Sequence, residues 1–257
     1  MDRSPEPMPE AATDDHVFAG WAAAGAGAML VKLRDSGLSG QDLKDAGDLA
    51  SHRFLMRLIG QYRPDDVVLS EEGKDDRRRL SARRVWIIDP LDGTREFAEP
   101  PRDDWAVHVA LWEDGDLVAG AVAQPGLGTT FTTADPVAPA RTGPSERPRL
   151  AVSRTRPPRF VAALAEDLGA ELVPMGSAGA KVISVVRGIT DAYVHAGGQY
   201  EWDSAAPVVV ARAAGLHTSR VDGAALRYNQ PDVLLPDLLV CRPDLAEPII
   251  RLVRNYR

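Results

Sequence analysis

The chain of 257 residues is 44% apolar and 26% charged, the mix of a globular protein that can bury a sizeable core in one large domain or two small ones. Its net charge of −7 argues against a general nucleic-acid binder, which shows a basic face, but not against an anionic substrate, since bound cations invert local charge. The single cysteine, Cys241, excludes an intrachain disulfide and reads as a core thiol within the apolar run Leu238–Cys241.

Met1–Asp15 is acidic and Pro-rich and reads as disordered. It lacks the basic start of an export signal, which implies a cytoplasmic protein. The apolar run Val17–Val31 is shorter than the ~20 residues of a membrane span, so no membrane partner is expected. It is mostly Ala and Gly, and reads as part of a buried helix, about His16–Ser36, whose small residues let another helix approach. A second helix follows Asp48, with Phe54, Leu55, Leu58 and Ile59 at helical spacing. Val67–Leu69 is a short buried strand running into Ser70, Glu71 and Glu72. The basic stretch Lys74–Arg84 reads as a solvated connector.

Val85–Ile88 is the next strand, ended by Pro90, which cannot donate to a ladder. Trp105–Trp112 and Leu117–Ala123 flank the hairpin signal "EDGD", and Thr129–Thr133 is a further β stretch. Ala134–Arg149, rich in Pro, Ala and Arg, is the candidate subdomain boundary. Strands at Leu150–Val152, Ala170–Val173 and Asp191–His195 then alternate with helices at Phe160–Leu168, Ala180–Arg187 and Ser204–Ala214. A strand "DLLVC" and a helix near Glu247–Arg254 close the chain. The pattern is an α+β part over residues 16–140 followed by an α/β part over 141–257.

Four acidic residues share one kind of structural address. Glu71, Asp89 and Asp92 follow strands, and Asp203 opens a helix, where mixed α/β folds place ligand sites. Carboxylates gathered at one point need a counter-charge, and Mg²⁺ takes carboxylate, carbonyl and water oxygens. No His/Cys cluster of zinc spacing competes. In "DGT", Gly93 lets the chain turn and Thr94 caps a short helix whose free N–H groups suit a phosphate. Metal ligands beside a phosphate cradle are the parts of metal-assisted phosphoryl transfer. Alone, "DPLDG" is equally ordinary turn punctuation.

Together, "EE", "DPLDGT" and "WDSAA…AAG" resemble the inositol monophosphatase superfamily of Mg²⁺-dependent, lithium-sensitive phosphatases, over about Val17 to Val240. "DPLDGTREF", "GSAGAK" and "EWDSAA" are most similar to its CysQ branch, which removes the 3′-phosphate of 3′-phosphoadenosine 5′-phosphate. The resemblance implies a layered α-β-α-β-α sugar-phosphatase fold and two or three Mg²⁺ ions. It implies Glu71, Asp89, Asp92, Asp203 and the Leu91 carbonyl as metal ligands, and Gly93 and Thr94 as phosphate holders. It implies Thr94 and Asp48 as a dyad that helps orient and deprotonate the attacking water, and counts Glu71 with them as catalytic. Asp48, read here at a helix start, also fits a plain cap.

Arg95, Ser177, Lys181 and Glu201 are the candidate substrate contacts, with Ser153, Arg154 and Gly176 on neighbouring loops. His108 and His195 read as structural, and Trp86, Trp105 and Trp202 as core. The chain departs from the family pattern in three respects: Pro207 stands where Gly is usual, so does Leu216, and Ala196 and Gly197 lie where an acidic residue grips inositol hydroxyls. The expectation is a Mg²⁺-dependent phosphomonoesterase acting on a small phosphorylated substrate, 3′-phosphoadenosine 5′-phosphate, and assembling as a homodimer by family habit. The alternatives are a broader inositol 1-phosphate or fructose 1,6-bisphosphate phosphatase, and a non-catalytic phosphometabolite sensor.

Overall fold

The computed structural model describes residues 9–138, 147–155 and 157–256. Two long helices, α1 (Asp15–Arg34) and α2 (Gly40–Tyr62), precede the first sheet. That sheet holds β1 (Val67–Ser70), β2 (Arg84–Asp92), β3 (Ala106–Glu113), β4 (Asp116–Gln124) and β5 (Thr129–Thr132) in chain order. β1 and β2 run parallel; the other neighbours are antiparallel. A four-residue helix, α3 (Thr94–Phe97), follows β2. The second sheet is built from β6 (Arg149–Ser153), β7 (Glu171–Met175), β8 (Ala192–Tyr200), β9 (His217–Ser219) and β10 (Leu234–Cys241), in the order 7-6-8-10-9. Between these strands come α4 (Arg159–Asp167), α5 (Ala178–Val186) and α6 (Glu201–Ala213), and α7 (Pro243–Val253) follows β10.

Strand alternation explains the layering. On β2, Trp86 and Ile88 pack with Phe18, Leu30, Leu55 and Leu58 of α1 and α2. Val85 and Ile87 point the other way, onto Val182 and Ile183 of α5 and Val208 and Val209 of α6. The far side of α5 and α6 meets Ala151, Tyr193, Leu238 and Val240 of the second sheet. Leu164 of α4 and Ile249 of α7 then cover Leu150, Val194 and Leu239. The order is helices, sheet, helices, sheet, helices. A strand buried on both faces needs no polar alternation, so "VWII" reads as one apolar run. α5 and α6 belong to the second half of the chain yet pack on the first sheet, so the two halves share one core.

Small residues in α1 set its approach. A Cβ on Gly25 would lie 2.8 Å from Phe54 of α2, and one on Gly27 would lie 2.6 Å from Pro125. The close approach therefore involves the β4–β5 turn as well as a helix. By length and composition α1 could cross a membrane, contrary to the run length read above, yet 44% of its apolar window is buried inside the fold.

Several local expectations change. Glu10–Thr13 forms a 3₁₀ turn with Ala12 buried, and Asp14 caps α1 through the His16 and Val17 N–H groups, so this part of the N-terminal segment is ordered. Residues 1–8 lie outside the described residues, as do 139–146 of the proposed boundary. α2 begins at Gly40, eight residues before Asp48, which is therefore mid-helix and no cap. The Lys74–Arg84 connector contains a 3₁₀ turn, Arg77–Ser81, on which Arg79 is fully buried. β2 continues through Pro90 to Asp92, with its register to β3 broken between Asp89 and Asp92. α6 starts at Glu201, so Pro207 sits in its interior. The N–H that Pro207 lacks is the one that would have met the Asp203 carbonyl.

Candidate active site

The break in register after Asp89 re-aims the chain. Asp89 pairs with His108 and Asp92 with Ala106, so two residues of β2 lie outside the ladder. Asp89 Oδ1 accepts the Leu91 N–H at 3.0 Å. Gly93 then turns at φ 86°, a left-handed conformation that suits glycine, and α3 begins. α2 lies close against this turn because Gly47 has no side chain: a Cβ there would sit 2.8 Å from Phe97 and 2.9 Å from Leu91. One turn on, Ser51 Oγ donates to the Pro90 carbonyl at 2.6 Å. Gly47, Asp48 and Ser51 thus face the turn together. Thr94 Oγ1 lies 3.3 Å from Asp48 Oδ1 and 3.1 Å from the Leu91 carbonyl oxygen.

The four carboxylates divide into one that the fold neutralises and three that it does not. Asp92 accepts the Ser177 hydroxyl and the Ala178 and Gly179 N–H groups, the latter at 3.1 and 2.6 Å, from the first turn of α5. His108 Nε2 is 3.2 Å away. Burial alone would raise the Asp92 pKa; His108, Ser177 and Gly179 outweigh it and bring it to about 2. Asp89, wholly buried, is pushed well above the usual range by burial and then by Glu71 and Asp92. Glu71, whose carboxyl end packs beside Asp89, is raised to about 7 by desolvation and the charge of Asp203. Asp203 is raised to about 6 by burial and by Asp92, although it accepts the Tyr200 N–H at 2.6 Å. Carboxyls crowded in this way repel one another when ionised, and a hard divalent cation, which takes oxygen donors, would relieve that repulsion. Asp89, Asp92 and His108 offer ligand atoms within 4.8 Å of one another.

A cavity of about 420 Å³ opens beside this cluster, and Asp92, Gly93, Thr94, Arg95, Lys181 and Asp203 line it. Ser153, Arg154, Gly176 and Ser177 form part of the same wall. Arg95 is exposed there. Arg154 is held by Glu96 at 2.5 Å and Glu99 at 2.7 Å. Lys181 is buried, and its Nζ donates to the Gly176 and Ser177 carbonyls at 2.9 and 2.5 Å. Two of its three protons therefore fix the loop. Ser177 Oγ likewise serves Asp92 and accepts the Ala180 N–H at 2.9 Å.

A match to the inositol monophosphatase family spans residues 19–257. The chain belongs to the inositol monophosphatase family. It is 52% identical over 217 residues to a 3′-phosphoadenosine 5′-phosphate phosphatase of Mycobacterium bovis, covering 81% of this chain and 80% of that protein. Against the 3′-phosphoadenosine 5′-phosphate phosphatase of Mycobacterium leprae, identity is 47% over 259 residues, 96% of each chain. The 3′(2′),5′-bisphosphate nucleotidase CysQ of Escherichia coli is 29% identical over 201 residues, 74% of this chain and 81% of that one. In fold, the chain is similar to a staphylococcal IMPase-II, with a TM-score of 0.77, 21% identity, and coverage of 94% and 95%. It is similar also to Mycobacterium tuberculosis SuhB, with a TM-score of 0.75, 24% identity, and coverage of 94% and 96%.

Within this member of the inositol monophosphatase family, three sequence expectations change. Glu201 does not line the cavity: its carboxylate accepts the Asn229 and Gln230 N–H groups at 2.6 and 2.8 Å. His195, read as structural, does line it. His108, read the same way, contacts Asp92 and sits inside the acidic cluster. The signal for His108 was its parity. It alternates with Val107 and Val109 and so faces the same layer as Ala106 and Ala110, where Gly179 leaves room: a Cβ there would lie 2.1 Å from His108 Nε2. Trp86 and Trp105 are buried core, as read, and Trp202 packs partly buried against the core while also stacking on Tyr200 at 4.9 Å. Cys241 is fully buried, and burial pushes its thiol pKa up.

Proposed function

We propose that the chain is a Mg²⁺-dependent phosphomonoesterase that hydrolyses the 3′-phosphate of 3′-phosphoadenosine 5′-phosphate, giving AMP and phosphate. The observation that carries this reading is the cavity wall at Ala196, Gly197 and Gly198. It presents no carboxylate to grip a polyol, while Arg95, Arg154 and Lys181 line the same cavity. The names of the relatives at 52% and 47% identity support the same choice.

Glu71, Asp89, Asp92, Asp203 and the Leu91 carbonyl would hold the cations, and the all-oxygen donor set fits Mg²⁺. Bound there, they would neutralise phosphate charge and ease deprotonation of an attacking water. The chain's own residues do the rest. Gly93 and Thr94 receive the phosphate beside Asp92. Thr94 donates its proton toward Asp48, which leaves its lone pairs free to accept from the water. Asp48, raised to about 6 by burial and by Glu72, is ionised at neutral pH and can take a proton. Ser177, already donating to Asp92, is not available as a nucleophile, which favours direct attack by water over a covalent intermediate. Arg95 is the exposed guanidinium suited to the phosphate that is not cleaved.

Phosphate release measured with Mg²⁺ tests the reading, using 3′-phosphoadenosine 5′-phosphate, inositol 1-phosphate and fructose 1,6-bisphosphate at equal concentration. The nucleotide should give the highest kcat/KM. A preference for either sugar phosphate would overturn the substrate assignment, and no turnover of any would favour a sensor.

A further inference from the structure

A buried polar network joins the segment after Glu71 to the start of α6. Arg79 donates from Nε to Asp75 Oδ1 at 2.6 Å and from Nη1 to Asn229 Oδ1 at 2.9 Å. Asn229 returns a bond from Nδ2 to the Arg79 carbonyl at 3.0 Å. The backbone N–H groups of Asn229 and Gln230 then hold the Glu201 carboxylate. Two more bonds run alongside: Arg77 Nη1 to the Pro231 carbonyl at 2.6 Å, and Ser204 Oγ to Tyr228 OH at 3.1 Å. Arg79, Asn229 and Glu201 all stay outside the cavity that holds Asp92 and Asp203.

The two ends of this network lie near carboxylates of the site. Glu71 is four residues before Asp75, and Asp203 is two residues after Glu201. We infer that Arg79, Asn229 and Glu201 form a clamp that fixes the distance between Glu71 and Asp203, and thereby sets the affinity of the centre for its divalent cation. This rests on the reading of those two carboxylates as cation ligands.

Three physical points carry it. First, Glu71 and Asp203 repel one another when no cation lies between them, and Glu71 is weakly tied: it follows an edge strand, and its N–H reaches the Ile88 carbonyl at only 3.4 Å. Nearby, the segment is tied by His52 to Ser70 Oγ at 3.0 Å and by the Gly73 N–H to the Ser70 carbonyl at 3.2 Å, both on the N-terminal side of Asp75. Second, the Arg79–Asp75 pair has one buried and one part-exposed partner, and such a pair adds little net stability. What its directional bonds add is a defined geometry. Third, Asn229 adopts φ 59°, a left-handed conformation unfavourable for most side chains. In that conformation its amide makes both bonds to Arg79. Groups bonded directly to metal ligands typically matter about ten- to a hundredfold in affinity, and the clamp, which acts through the chain on Glu71 and Asp203, should reach the lower end of that range.

The test is calorimetric titration of the metal-stripped full chain with Mg²⁺, and with Mn²⁺ as a second probe. Asn229→Gly keeps the left-handed backbone and deletes the amide; Glu201→Gln keeps volume and weakens the second link. Both should raise the cation Kd, Asn229→Gly by about tenfold, while kcat recovers at saturating cation. Melting in EDTA, run in parallel, separates this from general loss of structure, which would lower Tm without a selective change in Kd. Asp89→Asn is the control for the centre itself. If Asp89→Asn loses cation binding while both clamp variants keep the wild-type Kd, the clamp is refuted and the site reading stands. If Asp89→Asn binds as the wild type does, the site reading falls and takes the clamp with it.

Discussion

His108 Nε2 lies 3.2 Å from Asp92 Oδ2, while its Nδ1 lies 3.1 Å from the Trp202 carbonyl oxygen. Both ring nitrogens thus face acceptors. Burial would depress the His108 pKa, but Asp92 and the Trp202 carbonyl outweigh burial and raise it. The fold thereby gives Asp92 three donors from the start of α5 and a close imidazole, whereas Asp89 lies 3.9 Å from the same ring. The carboxylates are not equivalent, and their variants should differ.

Asp89→Asn and Asp92→Asn should each abolish turnover and shift stability in opposite directions. Asp89 is crowded by Glu71 and Asp92, so its amide relieves repulsion and should raise Tm in EDTA at pH 8. Asp92 anchors Ser177, Ala178, Gly179 and His108, so its amide should lower stability by about 3 kcal/mol. Thermal melts of the metal-free variants check this. Shifts of the same sign would contradict the division described here.

Thr94→Val should lower kcat about a hundredfold with little change in KM, because the lost hydroxyl acts on the water and not on substrate binding. Asp48→Asn should behave alike, and the double variant should be little worse than either. Additive losses in kcat would separate the two residues.

Stability without metal should fall as pH rises through neutrality. Asp48, Asp203 and Glu71 have folded pKa values of about 6, 6 and 7, raised chiefly by burial from 3.8, 3.8 and 4.5. The folded chain binds these protons more tightly than the unfolded chain does. Their stabilisation is complete below pH 3.8 and is lost as pH passes about 6 to 7. Asp92, lowered to about 2, works oppositely and only at the acid end. Urea unfolding in EDTA at pH 5.5 and pH 8 should show the lower midpoint at pH 8. Mg²⁺ should stabilise more at pH 8, where it no longer competes with protons.

Arg95→Ala should cost about ten- to a hundredfold in kcat/KM for the bisphosphorylated nucleotide and much less for a single-phosphate ester. Lys181→Ala should slow every substrate, because Lys181 Nζ fastens the Gly176 and Ser177 carbonyls beside Asp92. Steady-state comparison of both variants on two substrates decides. A nucleotide-selective loss in Lys181→Ala would instead make its remaining proton a substrate contact.

Much of this was legible because local chemistry and tertiary role agree. "DPLDGT" ends a strand in a turn that carries two acids and no basic residue, and the structure places that turn at the cluster. What stayed hidden depended on packing across long sequence distances. Asp48 looked like a cap because Gly47 resembled a helix boundary; the glycine is there for contact with Phe97 and Leu91. Glu201, next to Trp202, looked like a substrate contact, yet its partners lie 28 and 29 residues on. Arg79 looked solvated within a basic run, yet Asn229, its partner, is 150 residues away. Burial of a charged side chain by a distant loop leaves no periodic trace.

The donors that hold Asp92 come from α5, on the far side of the connection between β5 and β6. Cut there and made as two polypeptides, the protein would leave Asp92 on one fragment and its helix N–H groups on the other. The piece that carries Asp92 could not bury that carboxylate ionised without those donors. Mixed together, the fragments have an interface chemically marked for its correct partner, because His108 travels with Asp92 while the donors of the matching helix start do not. A split protein should therefore regain its fold only where α5 seats against β2, since any other arrangement leaves the Asp92 carboxylate buried without these donors.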